Sequence, residues 1–248
     1  MKTVLITGCS SGFGLEIAKY FLERDWKVIA TMRTPRADVL PQSKHLRILQ
    51  LDVTDAASIR RAVGEAGSVD ALVNNAGVGM LGPFESTTMD AVRDVFETNT
   101  FGTMAMTQAL LPQFRARKSG VIVNVASSVT LKTLPLLPVY TASKAAIVAF
   151  TASLALELQE FNIRVGTVLP GMAPETAFAT NAHARVAQTF PDDYAATMNA
   201  VLSGFQNYQG EVTHAIDVAK VVWQVTQDNT TAFRVPAGAD AVEWFEQS

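Results

Sequence analysis

Tyr140 and Lys144 stand four residues apart in Pro138-Val-Tyr-Thr-Ala-Ser-Lys-Ala-Ala-Ile147, the start of an apolar, alanine-rich run. That run predicts a helix, with the proline tolerated in its first turn. A spacing of four puts both side chains on one face, about a turn apart. A phenol beside an ammonium is an acid whose anion is stabilised, so the pair could pass a proton to and from an oxygen. Just upstream, Val121-Ile-Val-Asn-Val125 is a β-branched run that predicts a buried strand, and it leads to Ser127 and Ser128. A hydroxyl at that strand end could reach the same point. The plainer alternative is an amine lying over an exposed ring, which is common on helix surfaces and which the pair alone would favour.

The elements that must position these groups alternate. Val4–Thr7, Lys27–Thr31, Leu46–Leu51, Ala71–Asn74, Val121–Val125 and Arg164–Leu169 read as strands. Helical patterns at 13–24, 55–66, 88–117 and 138–160 separate most of them. Asp217–Thr226 predicts another helix and Ala232–Val235 a last short strand. Continuous apolar strands alternating with helices imply a parallel sheet covered on both faces. The expectation is an α/β fold of the doubly wound Rossmann type, with about seven mostly parallel strands in one domain over 1–248. Residues 172–210 break the rhythm and are expected to form a loop-like or short-helical lid over the substrate.

Composition narrows the function. The chain has 248 residues, 48% of them hydrophobic, with a mean hydropathy of +0.18. That permits a sizeable core. Its 20 Lys+Arg against 23 Asp+Glu give a net charge of −3 and form no dense basic run, which argues against a nucleic-acid partner. The single Cys9 excludes an internal disulfide and suits a reducing compartment. The richest apolar stretch, Ala145–Leu158, is interrupted by Thr151, Ser153 and Glu157, so no membrane span is expected. The chain runs straight into its first strand, so no signal peptide is expected either. The resulting expectation is a cytoplasmic enzyme or binding protein with no metal site.

The first strand leads into Thr7-Gly-Cys-Ser-Ser-Gly-Phe-Gly14 and then a helix. Glycines at 8, 12 and 14 would let the backbone turn tightly and approach a pyrophosphate, while the helix N-terminus supplies amide donors. Gly8, Ser10, Ser11, Gly12, Phe13 and Gly14 are the expected contacts. The alternative is a glycine-rich turn without a ligand. At the end of the second strand, where an NAD site places a carboxylate for the ribose 2′-hydroxyl, stand Thr31, Met32 and Arg33. A guanidinium suits a 2′-phosphate, which favours NADP over NAD, unless Arg33 is merely solvated. Asp52-Val53 could receive the adenine, or Asp52 or Thr54 could cap the next helix. Asn74-Asn75-Ala76-Gly77 ends the fourth strand at the edge where such sheets bind ligands, Gly77 letting a cofactor pass close to backbone.

Taken together, TGxxxGxG at 7–14, NNAG at 74–77, Asn99, Ser127 and YxxxK at 140–144 resemble the short-chain dehydrogenase/reductases, in order and over nearly the whole chain. The opening GCSSGFG, the ATMR after strand two and the tail Phe233-Arg-Val-Pro-Ala-Gly-Ala-Asp240 resemble the hydroxysteroid- and retinol-dehydrogenase-like branch. The resemblance implies that Tyr140 is the general acid/base, that Lys144 lowers its pKa and binds the nicotinamide ribose, that Ser127 holds the substrate oxygen, and that Asn99 holds a water linked to Lys144. It implies that Pro170-Gly171 borders the nicotinamide. Thr176 would contact the nicotinamide amide, but it falls one residue late for the family's PGxxxxT pattern, with Glu175 in its place. It also implies pairing as a homodimer or homotetramer through 99–117 and 138–160.

The substrate side would draw on Leu131, Leu134, Leu136 and Leu137, and on Met172, Phe178, Phe190, Tyr194, Met198 and Phe205. A few of these would face an apolar pocket for a bulky alcohol or ketone, and the others would be ordinary core. His183 and His214, without an evident charge partner, read as surface or capping residues. Three functions follow as expectations. The leading one is an NADP(H)-dependent carbonyl reductase or alcohol dehydrogenase. The others are an NAD-dependent retinol- or steroid-type dehydrogenase and a non-catalytic dinucleotide sensor.

Overall fold

Apolar runs too short and too uniformly apolar for amphipathic helices become strands buried on both faces. In the computed structural model, which describes residues 1–176 and 190–248, they are β1 (Thr3–Ile6), β2 (Lys27–Met32), β3 (Leu46–Gln50), β4 (Ala71–Asn74), β5 (Gly120–Val125), β6 (Ile163–Pro170) and β7 (Arg234–Ala237). They form one sheet in the order β3-β2-β1-β4-β5-β6-β7, and every neighbouring pair is parallel. The order reverses between β1 and β4, which opens a crevice at the C-terminal ends of those two strands.

The helices among the described residues are α1 (Gly12–Leu22), α2 (Ala56–Ala66), α3 (Met89–Phe96), α4 (Gly102–Arg117), α5 (Pro138–Glu157), α6 (Ala195–Gln206), α7 (Ala215–Gln227) and α8 (Ala239–Glu246). Side chains alternate along each strand, so each face of the sheet has its own core. Val4 and Ile6 join Ile17 and Phe21 of α1 and Val218 and Val222 of α7. Leu5 joins Ile59 of α2, Met106 and Leu110 of α4 and Leu154 of α5. Phe21, Trp26 and Trp223 close the first core with edge-to-face ring contacts at centroid distances of 5.1 to 6.0 Å. The doubly wound parallel sheet expected from the alternation is therefore present.

Three element readings change. The pattern over 88–117 is two helices joined by a π turn, Glu97–Phe101. The last strand lies two residues later than expected, and α8 follows it. Among the described residues one helix, α5 with 20 residues, is long and apolar enough to cross a membrane by length and composition alone, a longer run than the Ala145–Leu158 stretch read from the sequence. In the fold its buried residues pack on β5 and β6 and carry the site described next.

Candidate active site

Strand β5 delivers the first group. Two residues beyond its end, Ser127 is buried and extended, and its hydroxyl is hydrogen-bonded to the Tyr140 phenol. Tyr140 sits in the first turn of α5, where Pro138 opens the helix. Lys144, one turn on, is also buried. Its Nζ donates to the Val125 carbonyl at 3.0 Å and lies 6.0 Å from the centre of the Tyr140 ring. The plainer alternative of an amine over an exposed ring does not hold: both groups are buried beside the end of β5.

Asn99 arrives from the π turn. A π turn inserts an extra residue into the helical ladder, and such turns collect at functional sites. Here Asn99 Nδ2 donates to Val78 O (2.9 Å) and Ser143 Oγ (3.0 Å), and Oδ1 accepts from Val78 N (2.8 Å). Ser143 Oγ donates to the Tyr140 carbonyl at 2.8 Å, so the amide and the first turn of α5 form one hydrogen-bonded block. Gly77 lies over the meeting point. A Cβ there would stand 3.3 Å from both Lys144 Nζ and Asn99 Oδ1. The structure thus brings together Asn99, Ser127, Tyr140, Lys144 and Gly77.

The electrostatics differ from expectation. Burial pushes the Tyr140 phenol up to about 12, and its hydrogen bond with Ser127 only partly offsets this. Burial pulls the Lys144 ammonium down to about 8. In the chain by itself, desolvation therefore outweighs the depression of Tyr140 that a neighbouring lysine would cause.

The glycine turn lies at the β1–β4 crevice. Gly8 (φ +75°) and Gly12 (φ +56°) adopt left-handed backbone that glycine takes without strain. The NNAG segment braces it: Asn75 and Ala76 N–H groups donate to Thr7 Oγ1 at 3.0 and 2.9 Å, and Asn75 Nδ2 donates to the Thr7 and Gly8 carbonyls. Asn75 is thus a brace for the turn as well as a residue of the ligand edge. Ser11 is the N-cap of α1 without a side-chain cap bond, and both Ser10 and Ser11 are exposed, while Gly12 and Phe13 open the helix half-buried and Gly14 is buried. Cys9 between them is fully buried, its thiol pushed up to about 12 by burial, so it is an inert part of the turn.

Further along the edge, Arg33 is exposed just beyond β2, and Asp52 is half-buried beyond β3 with Val53 buried beside it. Burial would raise the Asp52 carboxyl, but hydrogen bonds from Thr54 and the charge of Arg33 hold it below the ordinary value. The helix cap here is neither Asp52 nor Thr54 but Asp55, which accepts from Ala57 N–H at 2.8 Å. The offset at 175–176 has a physical explanation. Glu175 accepts from the Ala215 N–H at 2.9 Å, at the start of α7, and lies 3.2 Å from His214 Nδ1. Thr176 is then turned inward, 3.5 Å from where a Cβ of Gly12 would lie. Sequence reasoning missed Glu175 as a cap because Ala215 is forty residues away. His214 is exposed and pairs with that carboxylate, in keeping with a surface role.

Of the residues expected on the substrate side, Leu136 and Met198 pack with Leu81, flanked by Leu137, Phe190, Val201 and Leu202. Leu136 holds a left-handed φ of +62° in the loop before α5, and its carbonyl accepts from Gly82 N–H at 2.8 Å. Leu131 instead packs with Ala126, Ile147 and Leu169, and Phe205 is 42% exposed. Tyr194 donates its hydroxyl to Glu85 at 2.9 Å. Phe178 and His183 lie outside the described residues.

Residues 2–187 match the family model described as short chain dehydrogenase. Bovine (Bos taurus) retinol dehydrogenase 8 is 41% identical over 184 residues, which is 68% of this chain and 58% of that protein, so the match spans little more than half the relative's length. Rat (Rattus norvegicus) estradiol 17-beta-dehydrogenase 1 is 37% identical over 251 residues, covering 95% of this chain and 71% of the relative. A short-chain dehydrogenase structure from Streptomyces avermitilis superposes with a TM-score of 0.85 at 33% identity, over 100% of this chain and 92% of that one. A serine dehydrogenase complexed with NADP+ superposes with a TM-score of 0.82 at 28% identity, over 96% and 95%. With the glycine turn, the NNAG brace and the buried Ser127–Tyr140–Lys144 group in one crevice, the chain belongs to the short-chain dehydrogenase/reductase family, in its hydroxysteroid- and retinol-dehydrogenase-like branch.

Proposed function

We propose that this chain is an NADP(H)-dependent oxidoreductase interconverting a carbonyl and a secondary alcohol on a largely apolar substrate. The observation that carries this reading is the convergence of Ser127, Tyr140, Lys144 and Asn99 at one end of the crevice whose other end is the glycine turn. The residues present fit a dinucleotide. Gly8 and Gly12 leave backbone open at the α1 N-terminus, and Gly77 leaves a gap beside Lys144 that a Cβ would fill. Bound there, the cofactor supplies the hydride and, when oxidised, a positive charge at the nicotinamide.

The chain's own residues manage the proton. Tyr140, already hydrogen-bonded to Ser127, holds the proton that a carbonyl oxygen takes up on reduction. Ser127 donates to that same oxygen as negative charge develops on it. Lys144 and the oxidised cofactor's charge lower the cost of the phenolate that alcohol oxidation requires. Asn99 fixes the first turn of α5 through Ser143 and holds the Lys144 surroundings polar.

Arg33 at the end of β2, with no carboxylate at 31–33 and with Ser11 across the turn, supports NADP(H) over NAD(H). The Leu81–Leu136–Met198 cluster and the likeness to retinol and estradiol dehydrogenases support a bulky apolar alcohol or ketone, with residues 172–210, of which 177–189 lie outside the described residues, as its cover. The lone buried Cys9 supports a reducing, cytoplasmic setting. The exposed small face of α5, Ala145, Ala149 and Ala152, is where a homodimer or homotetramer would pair.

The test is incubation with NADPH or NADH and a panel of aromatic ketones, apolar aldehydes and steroid or isoprenoid alcohols, followed by cofactor absorbance. Turnover with NADPH supports the reading. Turnover only with the NAD pair moves the chain to the NAD-dependent alternative, and binding without turnover makes it a sensor.

A further inference from the structure

The last helix of the described fold carries a buried carboxylate. Asp240, in the first turn of α8, is 1% exposed. It reaches back across the fold to the segment that leaves β6. The Met172 N–H donates to Asp240 Oδ2 at 2.6 Å, and the Thr213 hydroxyl lies 2.6 Å from Oδ1 and 2.9 Å from the Ala237 carbonyl. Thr213, itself fully buried, accepts from the Gly171 N–H at 3.0 Å, and its own N–H donates to the Met172 carbonyl at 2.8 Å. The Gly171 N–H, which also lies 3.3 Å from the Ala237 carbonyl, and both polar backbone groups of Met172 are therefore held by Thr213, Asp240 or Ala237. The arrangement leaves room for no other residues. A Cβ on Gly171 would overlap the Asp240 carboxylate, and one on Gly238 would overlap Thr213 Oγ1.

The segment so held spans the crevice. It begins at Pro170 on β6, next to β5 and the Ser127 end of the site, since Ala126 N–H donates to Val168 O at 2.8 Å. It ends at Thr176, which lies against Gly12 of the glycine turn. A dinucleotide stretched between Gly12 and Tyr140 would run along it, with Gly171 at the reacting end.

We propose that Asp240, acting with Thr213, is the positioning residue for this turn and so governs how the chain holds the nicotinamide half of its cofactor, but not the adenosine half. The inference rests on the dinucleotide-dependent function given above. Thr213→Val removes the hydroxyl at constant shape. Asp240→Leu removes both acceptor oxygens at similar size, leaving the Met172 N–H without its partner. Thr213→Ser keeps the hydroxyl and serves as the rescue variant.

Two measurements test it. The first is amide exchange in the cofactor-free proteins: the Met172 amide should exchange about tenfold or more faster in Asp240→Leu, and Gly171 likewise in Thr213→Val, while Thr213→Ser stays near wild type. The second is calorimetric binding of NADPH against adenosine 2′,5′-bisphosphate. NADPH affinity should fall about tenfold in Asp240→Leu and Thr213→Val, with the bisphosphate changed less than about twofold. Equal weakening of both ligands, or unchanged exchange at 171 and 172, overturns the proposal. Wild-type protein that binds neither ligand overturns the dinucleotide reading with it, and the exchange experiment then shows whether the brace itself is real.

Discussion

Lys144 carries its charge at a cost. An ammonium whose pKa is pulled from 10.5 to about 8 by burial is disfavoured in the folded chain whenever it is protonated. Below pH 8 both folded and unfolded chains hold the proton and the full penalty applies. Between about 8 and 10.5 the unfolded chain binds more protons, so stability rises with pH. Above 10.5 the penalty is gone. Lys144→Met has no such term. In urea melts the stability of wild type relative to Lys144→Met should therefore improve as pH rises from 8 to 10.5, and a gap constant with pH would mean the amine is not buried as described. Tyr140→Phe should reduce turnover by about 10² to 10⁴, the range for loss of a positioned proton donor, while NADPH binding by calorimetry is unchanged. Near wild-type turnover in that variant would remove the proton mechanism. At this scale the sequence was informative where chemistry depends on spacing within one element, as for Tyr140 and Lys144. It pointed the wrong way on the Tyr140 shift, because a neighbouring ammonium lowers a phenol whereas desolvation, a property of everything packed around the ring, raises it in the chain by itself. It was silent on Asp240, whose partners Met172 and Thr213 are 68 and 27 residues away.

Helix glycines show how an element's neighbours reverse a local preference. Replacing glycine by alanine in a helix ordinarily stabilises, because the unfolded chain loses freedom. Gly64 in α2 is exposed, with nothing within 4 Å of an added Cβ. Gly64→Ala should accordingly stabilise by about 0.5–1 kcal/mol. Gly102, where α4 leaves the π turn, is buried, and a Cβ there would stand 2.8 Å from Val53 Cγ2 and 3.1 Å from the Val53 carbonyl. Gly102→Ala should destabilise by about 1–3 kcal/mol, because backbone of the β3–α2 connection would have to move. Matched denaturant melts of the two variants check the pair, and same-sign effects would count against the packing of α4 on that connection. The same stretch shows why 88–117 reads as one helix in the sequence. No glycine or proline interrupts Met89–Phe101, and the extra residue of a π turn leaves no mark in composition. By contrast the strands were legible because each is a short β-branched or apolar run with a turn at either end, and their parallel pairing followed from alternation with helices. Helix α6 was not, since its residues carry little periodic signal and its Met198 gains its role only against Leu81 and Leu136.

For the molecule as a whole, the glycine turn, Arg33 and the Tyr140 group lie on one edge of one sheet, so cofactor binding is linked to folding of the entire domain. A ligand that binds only the native state adds RT ln(1 + [L]/Kd), about 2.7 kcal/mol at a hundredfold excess over Kd. For a domain of this size that raises Tm by roughly 5–10 °C. If Arg33 holds a 2′-phosphate, NADPH should give this increment at concentrations where NADH gives much less, because only NADPH gains the charge-assisted contact. Arg33→Ala removes that contact at an exposed position, where the fold itself should be indifferent. Its Tm without cofactor should therefore match wild type, while its response to NADPH falls to the level of NADH, a loss of about tenfold or more in affinity. Asp52 sharpens the expectation. Its charge already faces Arg33, so Asp52→Asn should leave the guanidinium less compensated and strengthen NADPH modestly. Thermal melts of wild type, Arg33→Ala and Asp52→Asn over a titration of both cofactors decide the matter. Equal protection of wild type by NADH and NADPH would make Arg33 a solvated surface residue and move the chain to NAD.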